Sequence, residues 1–208
     1  MKALLCEKYG PPESLTYCDI EDPKMDDNLV LVDIYSASVN FPDVLMIEDK
    51  YQFKPQLPFA PGGEASGIIA ETGKNISDLK KGDRVIVSSG FGAFAEKIAV
   101  DRGAITTIPD TMSHDIAAAF LMTYGTSHYA LKDRAKIQAG ETLFVLGAAG
   151  GVGLAAIEIG KAMGAEVIAA ASSEEKLSIC EDHGADKTLL YSSGKMERDE
   201  QKKFSNQI

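Results

Sequence analysis

The stretch Thr142–Gly153, TLFVLGAAGGVG, restricts what this chain can fold into more than any other part of it. Leu143 to Leu146 is a short apolar run with β-branched content, the pattern of a buried parallel strand. Closely spaced glycines follow at once, and an Ala/Ile/Leu-rich helical pattern then runs through Met163 to a capping glycine, Gly164. Strand, glycine turn and helix start in immediate succession are the setting in which such glycines signify a dinucleotide site. A diphosphate reaches the unpaired N–H groups at a helix start only where no Cβ intervenes, so the position of closest approach has to be glycine. Gly150 fills that slot, between Ala149 on one side and Gly151 and Val152 on the other. Gly153 comes three residues later, where a side chain would hold the helix off the strand. Ala148 stands where the first glycine of G-x-G-x-x-G is expected, which is tolerable if its φ stays negative. A glycine turn in an ordinary βα unit would carry some of the same residues, but the run Glu166–Ala171 supplies the second strand of a βαβ unit of the expected length.

Beyond Ala171, Ser172 with Glu175 reads as a capping box that opens a helix to His183, closed by Gly184, and Lys187–Tyr191 reads as a third strand. The remainder, SSGKMERDEQKKFSNQI, is polar and has the look of a helix fragment or a tail. A doubly wound dinucleotide domain has about six strands in two halves. Three are present here, so the expectation is a truncated form, or a domain whose second half comes from elsewhere.

Residues 1 to about 110 have a different texture, short strands broken by Gly/Pro turns. Met1–Lys8, Leu15–Ile20, Asn28–Ser38, Gly63–Glu71, Asp83–Ser88, Ala93–Val100 and Ala104–Ile108 read as strands, with one or two helical turns over Asn40–Ile47. So many strands with so little helix predict a compact β-barrel-type domain. From Ser113, a candidate N-cap, the spacing turns helical and is interrupted near Gly125. The expected organisation is therefore a β-barrel-type domain over 1–112, bridging helices over 113–139 and a partial nucleotide-binding domain over 140–208.

The chain of 208 residues carries a net charge of -10, which opposes a phosphate-tracking nucleic-acid surface. No apolar run is long enough to span a bilayer, and Met1–Leu5 leads into strand-like sequence without the apolar core of a signal peptide. Cys6, Cys18 and Cys180 are odd in number and far apart, as free thiols of a reducing compartment, most simply the cytoplasm, would be. No Cys or His lies at ligand spacing for a metal.

The segments SASVNFPDVLMIEDKYQ, PFAPGGEASGIIAETG, KKGDRVIV, LMTYGTSHYAL, AGETLFVLGAAGGVGLAAIEIGKAMGAEVIAAASSEEK and HGADKTLLY together resemble the medium-chain dehydrogenase/reductase superfamily, in its zinc-free quinone oxidoreductase (zeta-crystallin-like) branch. The resemblance covers nearly all of residues 1–191. It implies a GroES-like β-barrel-type N-terminal domain followed by the first half of a Rossmann doubly wound parallel sheet, in a family that runs past 300 residues. Zinc-dependent members place a Cys after the long strand and a His before a Glu. Here Asn40 and Gly63 occupy those positions, and neither ligates zinc.

By the same resemblance Asn40 faces nicotinamide and substrate, Tyr51 stands near the substrate pocket and Thr126 lies beside the nicotinamide carboxamide. From the residues alone, Asn40 reads equally as a turn or cap residue, Tyr51 as a core or rim tyrosine and Thr126 as a hydroxyl satisfied inside a helix. The end of the second strand, Ala170 to Ser173, lacks the carboxylate that would bind a ribose 2′-OH, and Ser172 and Ser173 offer hydroxyls to a 2′-phosphate. Lys176 and Tyr191 match positions that clamp that phosphate in NADPH-using relatives, although Glu174 and Glu175 stand next to them. The expected cofactor is NADPH and the expected activity metal-free hydride transfer to a quinone or other α,β-unsaturated carbonyl. An enoyl thioester as acceptor, and a non-catalytic form that binds nucleotide weakly or pairs with another subunit, remain open alternatives. Relatives form dimers, so a homodimer is a further expectation of the resemblance.

Overall fold

The computed structural model describes residues 1–192, 194 and 198–205. The chain divides into two compact units, Met1–Leu121 and Met122–Ile208. The division falls inside the stretch expected to bridge. Ala117 and Ala118 are buried in the first unit, whereas the helical segment after Met122 packs on the second.

In the first unit, β1 (Lys2–Leu5) and β2 (Thr16–Asp19) form an antiparallel ribbon. A second, antiparallel sheet contains β3 (Leu29–Ala37), β4 (Glu64–Thr72), β5 (Arg84–Ser88), β6 (Lys97–Asp101) and β7 (Ile105–Thr107), in the order β6-β3-β4-β5-β7. Alternation along β3 turns Val30 and Val32 inward, where they meet Ile69, Val85, Val87, Ile98, Val100 and Ile105. Because all five strands feed one cluster, the sheet curls as the GroES-like expectation requires. The strand expected over Ala93–Val100 starts only at Lys97, since the Phe94 carbonyl and the Glu96 N–H are bonded to Leu4 and Lys2 of β1. Helix α1 (Phe41–Ile47) lies between β3 and β4 in sequence, and α2 (His114–Ala118) follows β7 with Ser113 as its N-cap, Oγ accepting the Ile116 N–H at 3.3 Å.

A helical segment starts with the π-helical stretch Leu121–Gly125, which begins at the last residue of the first unit, and runs on in the second through α3 (Thr126–His128) to a second π-helical stretch, Tyr129–Ala135. Three parallel strands follow, β8 (Thr142–Leu146), β9 (Glu166–Ala171) and β10 (Lys187–Leu190), in the order β10-β9-β8. They alternate with α4 (Gly151–Ala162) and α5 (Glu174–Asp182). Ile157 of α4 and Cys180 of α5, both fully buried, pack with Val145, Val167 and Ala169 on one face of this sheet. Phe204 of α6 (Arg198–Ser205) stands 6.1 Å from the Phe144 ring and 5.9 Å from that of Tyr191. The polar terminal stretch thus contributes a helix, and residues 193, 195–197 and 206–208 lie outside the described residues.

One expectation is corrected here. The N-cap of α5 is Ser173, whose Oγ accepts the Lys176 N–H at 3.3 Å, and not Ser172. β9 ends at Ala171 as the pattern suggested, but one more residue, Ser172, precedes the cap, so the third helical position is Lys176 and Glu175 does not occupy the place a capping box needs.

Two outcomes follow from this packing. Ile157→Ala leaves a cavity beneath α4 and is expected to cost about 2–5 kcal/mol in urea unfolding. Asp186 accepts from Lys161 Nζ at 2.6 Å and from the Val167 N–H at 2.7 Å, and the lysine, then the amide, hold its carboxyl below the usual range. A depressed folded-state pKa gives stability that is present above the unfolded value of about 4 and is lost as pH falls through the folded value. Asp186→Asn should therefore flatten the acid limb of the stability profile, and an unchanged limb in urea titrations between about pH 2 and 6 contradicts the assignment.

Candidate functional site

The turn between β8 and α4 is built from four glycines with separate duties. Gly147 has φ +69 and makes the reversal, so the left-handed position lies one residue before Ala148. Ala148 is fully buried, is absent from the positive-φ residues, and donates its N–H to Ala170 O at 3.0 Å. A Cβ on Gly153 would sit 2.5 Å from Ala148 O, so this glycine lets the helix rest on the turn. A Cβ on Gly151 would come 2.9 Å from Thr123 Cγ2. Gly150, the N-cap, differs: its φ is -84, and a Cβ there would meet nothing nearer than Gly147 O at 3.7 Å, an ordinary contact. Packing does not require glycine at this position, whereas close approach of a ligand would.

The same turn leaves donors open. Gly150 N–H goes to Gly147 O at 3.3 Å and Leu154 N–H to Gly150 O at 2.8 Å. Among the described hydrogen bonds none takes the N–H of Ala149, Gly151, Val152 or Gly153. Together with the positive end of the α4 dipole, they form a ready cradle for an anion.

Beside the turn is a cavity of about 160 Å³ lined by Gly147, Ala149, Gly150, Ala171, Ser172, Lys176 and Tyr191. Residues separated by up to 44 positions meet there because the parallel ladder brings the C-terminal ends of β8, β9 and β10 side by side. Lys176 Nζ donates to Ser172 Oγ at 3.4 Å. Ser173 does not line the cavity, since its hydroxyl oxygen caps α5, and the neighbouring Glu174 and Glu175 are exposed and also absent from the lining. Val152 is 45% exposed, with its carbonyl accepting from Ser127 Oγ at 2.7 Å. Thr126 is the exposed first residue of α3, and its hydroxyl has no acceptor among the described hydrogen bonds.

In the first unit Asn40 is the N-cap of α1. Its N–H donates to Asp43 Oδ2 at 2.7 Å and its Nδ2 to Ser38 Oγ at 2.9 Å. Asp43 is buried, and burial pushes its carboxyl up, opposed by the N–H groups of Asn40, Gly62 and Gly63 that point at it. Glu64, also buried, accepts from Ser38 Oγ at 3.3 Å and from the Leu121 N–H. Two buried carboxylates therefore fix the backbone and the amide of Asn40. Tyr51 is half-buried against Cys6, Met46, Ile47 and Phe59, a packing role. Sequence reasoning passed over Ser38, Asp43 and Gly147. The Asn40-x-x-Asp43 spacing of a helix start was the available signal for Asp43. Among the described residues no group of three or more His, Cys, Asp or Glu is gathered as a metal centre would need, and no helix is long and apolar enough to cross a membrane.

Comparison with known proteins follows this division. Residues 26–110 match the family description "Alcohol dehydrogenase GroES-like domain" and residues 151–207 match "Zinc-binding dehydrogenase". Quinone oxidoreductase-like protein 2 of Mus musculus is 41% identical over 98% of the chain and 58% of its own length. A probable oxidoreductase from Mycobacterium abscessus superimposes with a TM-score of 0.87 at 40% identity, covering 93% of this chain and 62% of that one. Escherichia coli quinone oxidoreductase, solved in complex with NADPH, superimposes with a TM-score of 0.88 at 28% identity, covering 94% of this chain and 60% of that one. The chain thus spans well under two thirds of the length of these relatives.

The glycines give a direct test. Gly153→Ala drives a Cβ into backbone and is expected to cost more than about 3 kcal/mol of stability. Gly150→Ala is expected to cost less than about 1 kcal/mol while weakening nucleotide binding at least tenfold. Denaturant titration paired with nucleotide titration separates the two, and equal stability losses would contradict the distinction.

Proposed function

The chain belongs to the medium-chain dehydrogenase/reductase superfamily, in its quinone oxidoreductase branch, and from that premise we propose that it binds NADPH at the α4 turn and supports metal-free hydride transfer to a quinone or another α,β-unsaturated carbonyl. The observation that carries the reading is the cavity in which Ser172, Lys176 and Tyr191 converge beside a turn with open amides. The bound nicotinamide supplies the hydride, which is the cofactor's own chemistry.

The protein's share is binding and electrostatics. The N–H groups of Ala149 and Gly151–Gly153 hold the diphosphate, and the missing Cβ of Gly150 admits it. Lys176 Nζ and the hydroxyls of Ser172 and Tyr191 receive the 2′-phosphate, in a cavity with no carboxylate among the described residues that line it. Ser173 has no part in this beyond capping α5. Asn40 keeps one Nδ2 hydrogen on Ser38 and directs the other to the acceptor's carbonyl oxygen as negative charge develops there. Thr126 serves the nicotinamide carboxamide, and Tyr51 borders the acceptor. Zinc independence is supported by Asn40 and Gly63 standing where zinc-dependent members keep a thiolate and an imidazole.

Fluorescence titration is expected to show NADPH binding at least tenfold tighter than NADH, with most of the difference lost in Lys176→Ala. Equal affinities overturn the phosphate assignment. Asn40→Ala is expected to lower kcat by about a hundredfold with the NADPH affinity unchanged. Absence of NADPH oxidation across a panel of quinones and enones overturns the hydride-transfer reading.

A further inference from the structure

We infer that Tyr124 and Ser127 are positioning residues for the diphosphate-binding turn, holding α4 in its first turn and beyond its midpoint by two hydrogen bonds from a single neighbouring segment. The inference rests on the NADPH reading above and adds to it two residues that touch no part of the proposed ligand.

Ser127 is buried, 2% exposed, and its Oγ donates to Val152 O at 2.7 Å, in the first turn of α4. The carbonyl has a second lone pair, so the hydroxyl adds to the helical bond instead of replacing it. Tyr124 OH donates to Glu158 Oε2 at 2.5 Å, and Glu158 Oε1 is met by His183 Nδ1 at 2.6 Å. An ionised carboxylate only accepts, so that ring nitrogen carries its proton. Tyr124 first, and His183 after it, hold the Glu158 carboxyl below the usual range, so both bonds persist at neutral pH.

Val152 and Glu158 lie six residues apart, roughly 9 Å along the helix axis. One tether would leave α4 free to pivot, whereas two at that separation fix its tilt as well as its position. One residue before Val152, Thr123 closes on Gly151 so tightly that a Cβ there would come within 2.9 Å of its methyl group. The segment Thr123–Ser127 therefore sets where the amides of Gly151, Val152 and Gly153 point. Neither Tyr124 nor Ser127 lines the cavity of Ser172, Lys176 and Tyr191: its polar side chains come from the end of β9, from α5 and from the end of β10, and Gly147, Ala149 and Gly150 of the turn complete its lining. The two halves of the ligand are accordingly governed by separate parts of the unit.

That separation gives the test. NADPH affinity of the full chain and of Ser127→Ala, Tyr124→Phe and the double variant is measured by fluorescence, and adenosine 2′-monophosphate, which has no diphosphate, is measured as a competitor. Each single variant is expected to weaken NADPH about five- to tenfold, and to weaken NADH by the same factor, with the competitor's inhibition constant unchanged within about twofold. Loss of a tether acts only on the diphosphate, so NADPH affinity left intact in both variants overturns the inference. Parallel weakening of NADPH and the 2′-monophosphate overturns it too, because that is general loosening of the unit. Should Ser127→Ala fail to fold, Tyr124→Phe, which keeps its ring, carries the test alone. An unmutated chain that binds no NADPH rejects the cofactor reading itself and the positioning role with it, an outcome visible before any variant is compared.

Discussion

The first turn of α4 rests on the backbone of Ala148, and the second unit is arranged around that contact. Had Gly153 carried a side chain, the helix would stand off from the sheet, and the amides at its start would no longer share a rim with the ends of β9 and β10. Close contact also explains why Ala148 is fully buried and why its N–H is committed to β9 instead of being offered to a ligand. Binding capacity and packing are thus divided among adjacent residues. Gly147, Gly151 and Ala148 meet the demands of the chain itself, and the bare backbone at Gly150 is left for a guest.

The first unit solves its positioning problem with charge instead of small residues. Asp43 and Glu64 are buried carboxylates whose oxygens are occupied by backbone N–H groups and the Ser38 hydroxyl. Burial of such groups is costly unless they are bonded in this way. The cost is met by bonds that tie the end of β3, the start of α1 and the loop before β4 into one corner, at the centre of which the Asn40 amide is held by Ser38.

Much of this was legible in the residues. The β8 strand, the glycine turn, α4 to its cap at Gly164, β9 and β10 follow from a change of period at each boundary and from glycines placed where helices stop. The ribbon and the five-stranded sheet of the first unit followed from seven short runs with turn residues between them. Ser172 was identified from its place at the end of the second strand, Lys176 and Tyr191 through resemblance, and all three line one cavity. Less legible was the start of α5. Ser172 and Ser173 are both good caps, and the structure gives the cap to Ser173.

By itself the sequence determined the local grammar: which segments are strands, which are helices, and that a helix start at Gly150 would lack the side chains that normally fill it. These are properties of short windows, set by periodicity and by the allowed dihedrals of glycine. Tertiary structure decided which hydroxyls and amides are free. Ser173 Oγ accepts at a helix end and Ser127 donates to the Val152 carbonyl, whereas among the described hydrogen bonds none takes the N–H of Ala149 or of Gly151–Gly153. The Ser127 bond joins residues 25 apart in the chain, and no pattern of nearby residues encodes it.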